Sequence, residues 1–267
     1  MGQRAKMKFL GRIMTVLMLV ALVACGRGPV QQRAVMAGQG VGPKFGDTAP
    51  HAWVGGHPYD HPVHGIDISR YQGNIDWNSV RGSGISFAFI KATEGGDWAD
   101  PNFRRYWYEA GQARIPRGAY HYFYFCRSGT QQAAWFIQNV PRERGAMPPV
   151  IDLEWTPSKT CPRRPPADEV LREAKIFKDI LHQYYGQRPI IYTTVDFYRD
   201  NNLSRWPEEF WLRSVAGHPR IVYPGQPYSF WQYTGTGVVP GVPGNVDLNV
   251  FSGSPTEWRR WLNRRLQ

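Results

Sequence analysis

Apolar and polar positions alternate in short runs through most of the chain beyond residue 60. Successive side chains of a strand face opposite sides. His64-Gly-Ile-Asp-Ile-Ser69 therefore predicts a half-buried strand, with Asp67 and Ser69 opposite Ile66 and Ile68. Alternation or a short apolar run predicts further strands near residues 86–93, 117–125, 148–155, 188–194, 208–214, 230–234 and 246–251. Helical spacing falls between them. It is carried by Phe103, Tyr106, Trp107 and Ala110, then by Ala133, Phe136, Ile137 and Val140. A third stripe, Val170, Ala174, Phe177, Leu181 and Tyr184, is followed by Gly186, a residue suited to ending a helix.

The pattern changes after residue 194. The segments between the last strands are full of glycine and proline, including Pro219, Pro224, Pro227, Pro240 and Pro243, and leave no room for ordinary helices. A parallel crossover needs a dozen or more residues, usually helical, so the last strands are expected to be partly antiparallel. The expected fold class is α/β: an irregular β/α barrel of about eight strands, with helices mainly in the first half. It occupies one domain, residues 61–267. The end of the chain should pack Trp258 and Trp261 and leave Arg259, Arg260, Arg264 and Arg265 in water.

The N-terminus changes the picture from a protein of the cell interior to an exported one. Arg4, Lys6, Lys8 and Arg12 precede a short apolar run, residues 13–23, then Ala24-Cys25-Gly26. A basic region, an apolar stretch and a small residue before the cut describe a secretory signal, here residues 1–24. Leu22-Val-Ala-Cys25 also looks like a bacterial lipobox, in which Cys25 is lipidated and becomes the mature terminus. An ordinary signal peptide cleaved nearby is the other reading. The expected location is the bacterial cell envelope, held at a membrane by the lipid. Residues 25–60 lack periodicity and are rich in Gly, Pro and Gln, so a flexible tether is expected there. His57, His61 and His64 have a spacing from which a metal site can be drawn, but nothing in that segment holds the rings on one face, and no metal or cofactor is expected.

Removing residues 1–24 takes away four cations and no acid, so a net charge of +11 falls to +7. A basic exported chain suits an anionic partner such as cell wall or lipid headgroups. No Lys/Arg-rich run or nucleic-acid motif is present, and no nucleic-acid partner is expected. Cys126 and Cys161 each follow a predicted strand by a few residues. In an oxidising compartment a disulfide between them is the default, with two free thiols as the alternative.

Candidate chemistry centres on Pro148-Pro-Val-Ile-Asp152-Leu-Glu154-Trp155. Asp152 and Glu154 share one face of a strand, and Ile151, Leu153 and Trp155 take the other. Two carboxylates held close cannot both ionise freely, so one keeps its proton to higher pH. Glycoside hydrolysis asks for this pairing of a general acid with an anionic stabiliser. The competing reading is a strand end whose acids face water or pair with arginines. In a β/α barrel, polar residues at the C-terminal strand ends converge on one mouth. Asp67, Lys91 with Glu94, Asp152 with Glu154, Tyr192, Gln232 and Asp247 all fall in or just after predicted strands.

Seven segments, in this order, resemble glycoside hydrolase family 25, the Chalaropsis-type lysozymes. They are His64-Gly-Ile-Asp-Ile-Ser-Arg-Tyr-Gln-Gly-Asn-Ile-Asp-Trp77, Phe89-Ile-Lys-Ala-Thr-Glu-Gly95, Gly118-Ala-Tyr-His-Tyr-Phe123, Pro149-Val-Ile-Asp-Leu-Glu154, Pro189-Ile-Ile-Tyr-Thr193, Phe230-Trp-Gln-Tyr-Thr234 and Val246-Asp-Leu-Asn249. The similarity spans residues 62–252. It implies an irregular β/α barrel and hydrolysis of the β-1,4 bond between N-acetylmuramic acid and N-acetylglucosamine in peptidoglycan; separately, a monomer without a cofactor is expected. Carried over by position, it implies Glu154 as the general acid. Asp152 would stabilise positive charge at the anomeric carbon or orient the N-acetyl group, with Asp67 and Asp247 completing an acidic floor.

The same resemblance implies that Lys91, Glu94, Tyr122, Tyr192, Trp231 and Gln232 hold sugar. A Lys91–Glu94 ion pair, core roles for Tyr122 and Trp231, and backbone hydrogen bonding by Asp67 and Asp247 are the structural alternatives. The sequence departs from the family where Trp-x-Ala is usual on the sixth strand. Here Trp211-Leu-Arg213-Ser214 sets an arginine near the groove. A second departure is the proline-rich segment from Ser158 to Pro166, with its cysteine. Two other functions compete with the muramidase. A wall-binding module would not need both Asp152 and Glu154. A metal-dependent deacetylase would need clustered histidines at strand ends, and only His64, at the start of one predicted strand, and His121, within another, lie in strands at all.

Overall fold

The computed structural model describes residues 44–265 other than Pro157. The signal and lipidation readings at residues 1–25 lie outside the described residues. Eight strands close into a barrel: β1 (His64–Ile68), β2 (Ile85–Glu94), β3 (Arg117–Tyr122), β4 (Val150–Leu153), β5 (Ile190–Thr193), β6 (Phe210–Arg213), β7 (Phe230–Val238) and β8 (Val246–Phe251). Pairing runs in the order β1 to β7, all parallel, and β8 closes the ring antiparallel to both β7 and β1.

Among the barrel strands β8 alone is reversed, so the last strands are partly antiparallel, as the glycine and proline content suggested. Residues 214–229 are long enough to carry β6 back to a parallel β7 with a single helical turn, α6 (Pro219–Val222). Residues 239–245, between β7 and β8, are too short for that, so this pair is antiparallel. The other helices are α1 (Trp77–Gly82), α2 (Phe103–Gln112), α3 (Gly129–Asn139), α4 (Ala167–Tyr185), α5 (Val195–Asp200) and α7 (Pro255–Arg265).

Period-2 alternation divides the apolar residues into two cores. Outward residues such as Ile66, Ile90, Ile151, Leu153, Ile191 and Leu212 pack beneath Phe136, Val170, Phe177 and Leu181 of α3 and α4. Inward residues Phe87, Phe89, Val150, Ile190, Trp211 and Phe230 fill the barrel. The filling is tight: a Cβ on Gly65, which faces inward with Asp67, would sit 2.3 Å from the Phe87 ring. Helix α7 plugs the bottom. Trp258 meets Phe87 and Phe251 at 5.3 and 5.2 Å between ring centres, Trp261 meets Phe230, and Arg259, Arg260 and Arg264 stay exposed. With its floor sealed by aromatics, the barrel opens at the opposite mouth.

Residues 44–60, expected as tether, pack instead on the outside of the barrel. Gly46–Asp47 pairs with β7 at Gly237–Val238. Phe45 and Trp53 lie half-buried against the outer core, and Val54 bridges to Gly217. The aromatic residues in this segment supply apolar surface that its glycine and proline content masks.

Candidate active site

The mouth at the C-terminal ends of the parallel strands holds a cavity of about 280 Å³. Alternation brings one or two polar side chains to it from every barrel strand. Asp67 comes from β1, Lys91 from β2, Tyr120 and Tyr122 from β3, and Asp152 with Glu154 from β4 and the residue just beyond it. Tyr192 comes from β5, Trp211 and Arg213 from β6, and Gln232 from β7. Because β8 runs backwards, it contributes through its first residues, and Asp247 lies directly across from Asp67 in the ladder.

A hydrogen-bond chain fixes the floor. The Tyr192 hydroxyl donates to Gln232 Oε1 at 2.8 Å, and Gln232 Nε2 donates to Asp67 Oδ2 at 2.8 Å. From the other side, Trp211 Nε1 donates to Asn249 Oδ1 at 2.8 Å, and Asn249 Nδ2 donates to the same Asp67 oxygen at 2.8 Å. Each amide is oriented by the donor behind it, so neither can rotate away without losing two bonds.

Burial works against the charge of all four acids. It raises Asp67 to about 6, although the amides of Asn249 and Gln232 and the Arg213 charge pull it down. Burial and the neighbouring Asp67 raise Asp247 to about 8. Burial raises Asp152 well above the usual carboxylate range, and Glu154 adds repulsion; Asp152 Oδ1 makes no hydrogen bond among the described residues. Glu154 is also raised by burial, but it lies closer to the mouth, where the Tyr122 hydroxyl and Arg213 oppose the rise. Asp152 and Glu154 thus hold a shared proton to higher pH than free carboxyls do, which is what a general acid requires.

The remaining expectations divide. Lys91 Nζ lies 2.5 Å from Glu94 Oε2 and sits over the Tyr122 ring at 4.8 Å. Glu94 does not line the cavity: it steadies Lys91 and accepts from the Tyr124 hydroxyl at 2.8 Å. Trp231 is a correction. It alternates with the inward Gln232, so it points outward, is fully buried, and donates to the Ser214 carbonyl at 2.7 Å. Trp53 of the supposed tether covers it edge-on at 5.3 Å, so Trp231 has no face for sugar. His121 also points outward, bonded to Thr93 and Gln132 and stacked on Phe177 at 4.8 Å, away from the cavity. Cys126 and Cys161 are joined in a disulfide that ties the segment after β3 to the segment after β4.

Sequence reasoning missed Tyr120, Trp211 and Asn249. Each lies two residues from a recognised position, Tyr122, Arg213 and Asp247, and so shares its face. The signal was present in the alternation but is indistinguishable from core until the barrel closes.

The family model for glycosyl hydrolases family 25 matches residues 66–242, a span that includes the Asp152–Glu154 pair and Asp67. The chain belongs to this family. It is a glycoside hydrolase of the lysozyme type. Lysozyme M1 of Streptomyces globisporus is 36% identical over 209 residues, covering 72% of this chain and 68% of the relative. An uncharacterised protein of Escherichia coli K12, YegX, is 36% identical over 211 residues, covering 77% of this chain and 75% of the relative. Among solved structures, a family 25 glycosyl hydrolase from Bacillus anthracis superposes with a TM-score of 0.70 at 33% identity, covering 80% of this chain and 98% of that one.

Proposed function

We propose that this family 25 hydrolase is an exported muramidase, cutting the β-1,4 bond between N-acetylmuramic acid and N-acetylglucosamine by carboxylate acid catalysis. The observation that supports it most is the convergence of Asp67, Asp152, Glu154 and Asp247 on one cavity. Glu154, nearer the mouth, protonates the leaving sugar oxygen. Asp152, deeper and with an unpartnered oxygen, faces the developing positive charge or the N-acetyl group. In the free protein, burial favours the shared proton on Asp152. An amide N–H of bound substrate would give the Asp152 carboxylate the donor it lacks and leave the proton on Glu154. That Lys91, Tyr122, Tyr192 and Gln232 line the same cavity supports the reading that they hold sugar.

Mass spectrometry of digested peptidoglycan tests the reading. New reducing ends on muramic acid are expected. Reducing ends on glucosamine, or no cleavage, would overturn it.

The Leu22-Val-Ala-Cys25 run supports a second part of the reading, anchoring at an envelope membrane through lipid on Cys25. Cys25→Ser should release the protein from membranes. A mature chain starting elsewhere and free of acyl groups would refute this.

A further inference from the structure

The cavity is lined by two cations, Lys91 and Arg213. They differ in one respect. Lys91 is paired with Glu94 and covered by Trp98 and Tyr122. Arg213 has an exposed side chain, and among the described residues its guanidinium makes no ion pair or hydrogen bond. Its backbone is held in place: the carbonyl accepts from the Tyr223 hydroxyl, and the residue registers against Gln232. Alternation sets its side chain on the same inward face as Trp211, one step nearer the mouth. Arg213 is close enough to oppose the raised pKa of Asp67, Glu154 and Asp247, yet it bonds none of them.

A fixed backbone carrying an unpaired guanidinium fork at the edge of an acidic cavity is suited to recognising an anion of the substrate. We propose that Arg213 is a specificity residue that binds a carboxylate on the muramyl side chain, and that the enzyme favours glycan whose peptide stems have been removed. This rests on the muramidase reading. Its chemistry follows from the sugar. Muramic acid differs from glucosamine by a lactyl ether on O3, only two ring carbons from the anomeric carbon that Glu154 and Asp152 attend. The lactyl carboxyl is the acid nearest the cleaved bond. It is anionic only when no peptide is attached through it. A reaction that hydrolyses the amide between lactyl group and peptide must therefore supply the preferred substrate.

The test compares three substrates: glycan bearing peptide stems, peptide-free glycan with free lactyl carboxylates, and peptide-free glycan whose carboxyls have been converted to primary amides. Wild-type protein should show kcat/KM about 10-fold higher on the free acid than on the amide, carried mainly by KM. Arg213→Ala should bring that ratio close to one, and Arg213→Lys should keep part of it. If Arg213→Ala slows all three substrates alike while shifting the pH profile, Arg213 only tunes the neighbouring acids and the proposal fails. If the loss is confined to stem-bearing glycan, the carboxylate belongs to the peptide and the lactyl assignment is overturned. Wild-type protein that cuts none of the three would instead refute the muramidase reading beneath it.

Discussion

Gln232 donates to Asp67 at 2.8 Å while its own oxygen is held by Tyr192, so a neutral amide is locked against a buried carboxylate. Gln232→Glu keeps the shape and replaces the donor with a second acid. Two acids at that distance cannot both ionise. The variant should melt below wild type, with a deficit that is larger at pH 8 than at pH 5, where the pair retains protons. Equal deficits at both pH values in thermal melts would show that the bond to Asp67 is not what Gln232 contributes.

Glu154→Gln removes the proton source without changing the shape, and turnover should fall by about 10²–10⁴-fold. Asp152→Asn should also cripple turnover, by removing the negative charge opposite the anomeric carbon. It should additionally move the basic limb of the pH–kcat profile downward, because in the substrate complex an ionised Asp152 no longer holds the proton on Glu154. Both variants should still sediment with insoluble peptidoglycan. A Glu154→Gln protein that digests the wall at the wild-type rate would reverse the assignment.

Stability should fall as pH rises above about 6.5, where the lowered histidines no longer oppose the raised acids. Asp247 and Asp67, raised by burial to about 8 and about 6, bind more protons folded than unfolded above the usual carboxylate pKa. They contribute stability that is lost as pH rises through those values. Buried His64 and His121 act oppositely. Burial lowers both to about 4, so their contribution is present above the usual histidine pKa of 6.5 and lost as pH falls towards 4. Asp247→Asn should flatten the alkaline side, gaining on the order of 1–3 kcal/mol at pH 8 relative to wild type. Denaturant unfolding across pH 4.5–8.5 measures this, and an unchanged alkaline slope in the variant would remove Asp247 as the cause.

The Cys126–Cys161 bridge joins positions 35 residues apart and leaves Cys161 buried. Replacing both with serine should cost about 2–4 kcal/mol by freeing the unfolded chain. Because Asp152 and Glu154 lie between the two cysteines in sequence, KM for glycan should rise as well. Intact mass with and without reductant, together with denaturant melts, checks the bridge and its effect.

Much of the site was legible because strand alternation is a local rule. The two-residue spacing of Asp152 and Glu154 placed them on one face before any fold was known, and ordered motifs tied Asp67, Tyr192, Gln232 and Asp247 to the same family. The same rule could not say which face of a strand would become the interior. Trp231 and Gln232 are adjacent, and only barrel closure turned Gln232 to the cavity and Trp231 under Trp53. Residues 44–60 carry no period, yet Phe45 and Trp53 find apolar partners far away in sequence, on β7 and the outer core. Helix α7 becomes a plug because Trp258 and Trp261 meet Phe87, Phe230 and Phe251 from three different strands. The sequence by itself determined the strands, the paired acids and the family. The tertiary structure decided which residues share the cavity, since that depends on contacts between segments whose separation along the chain no local pattern encodes.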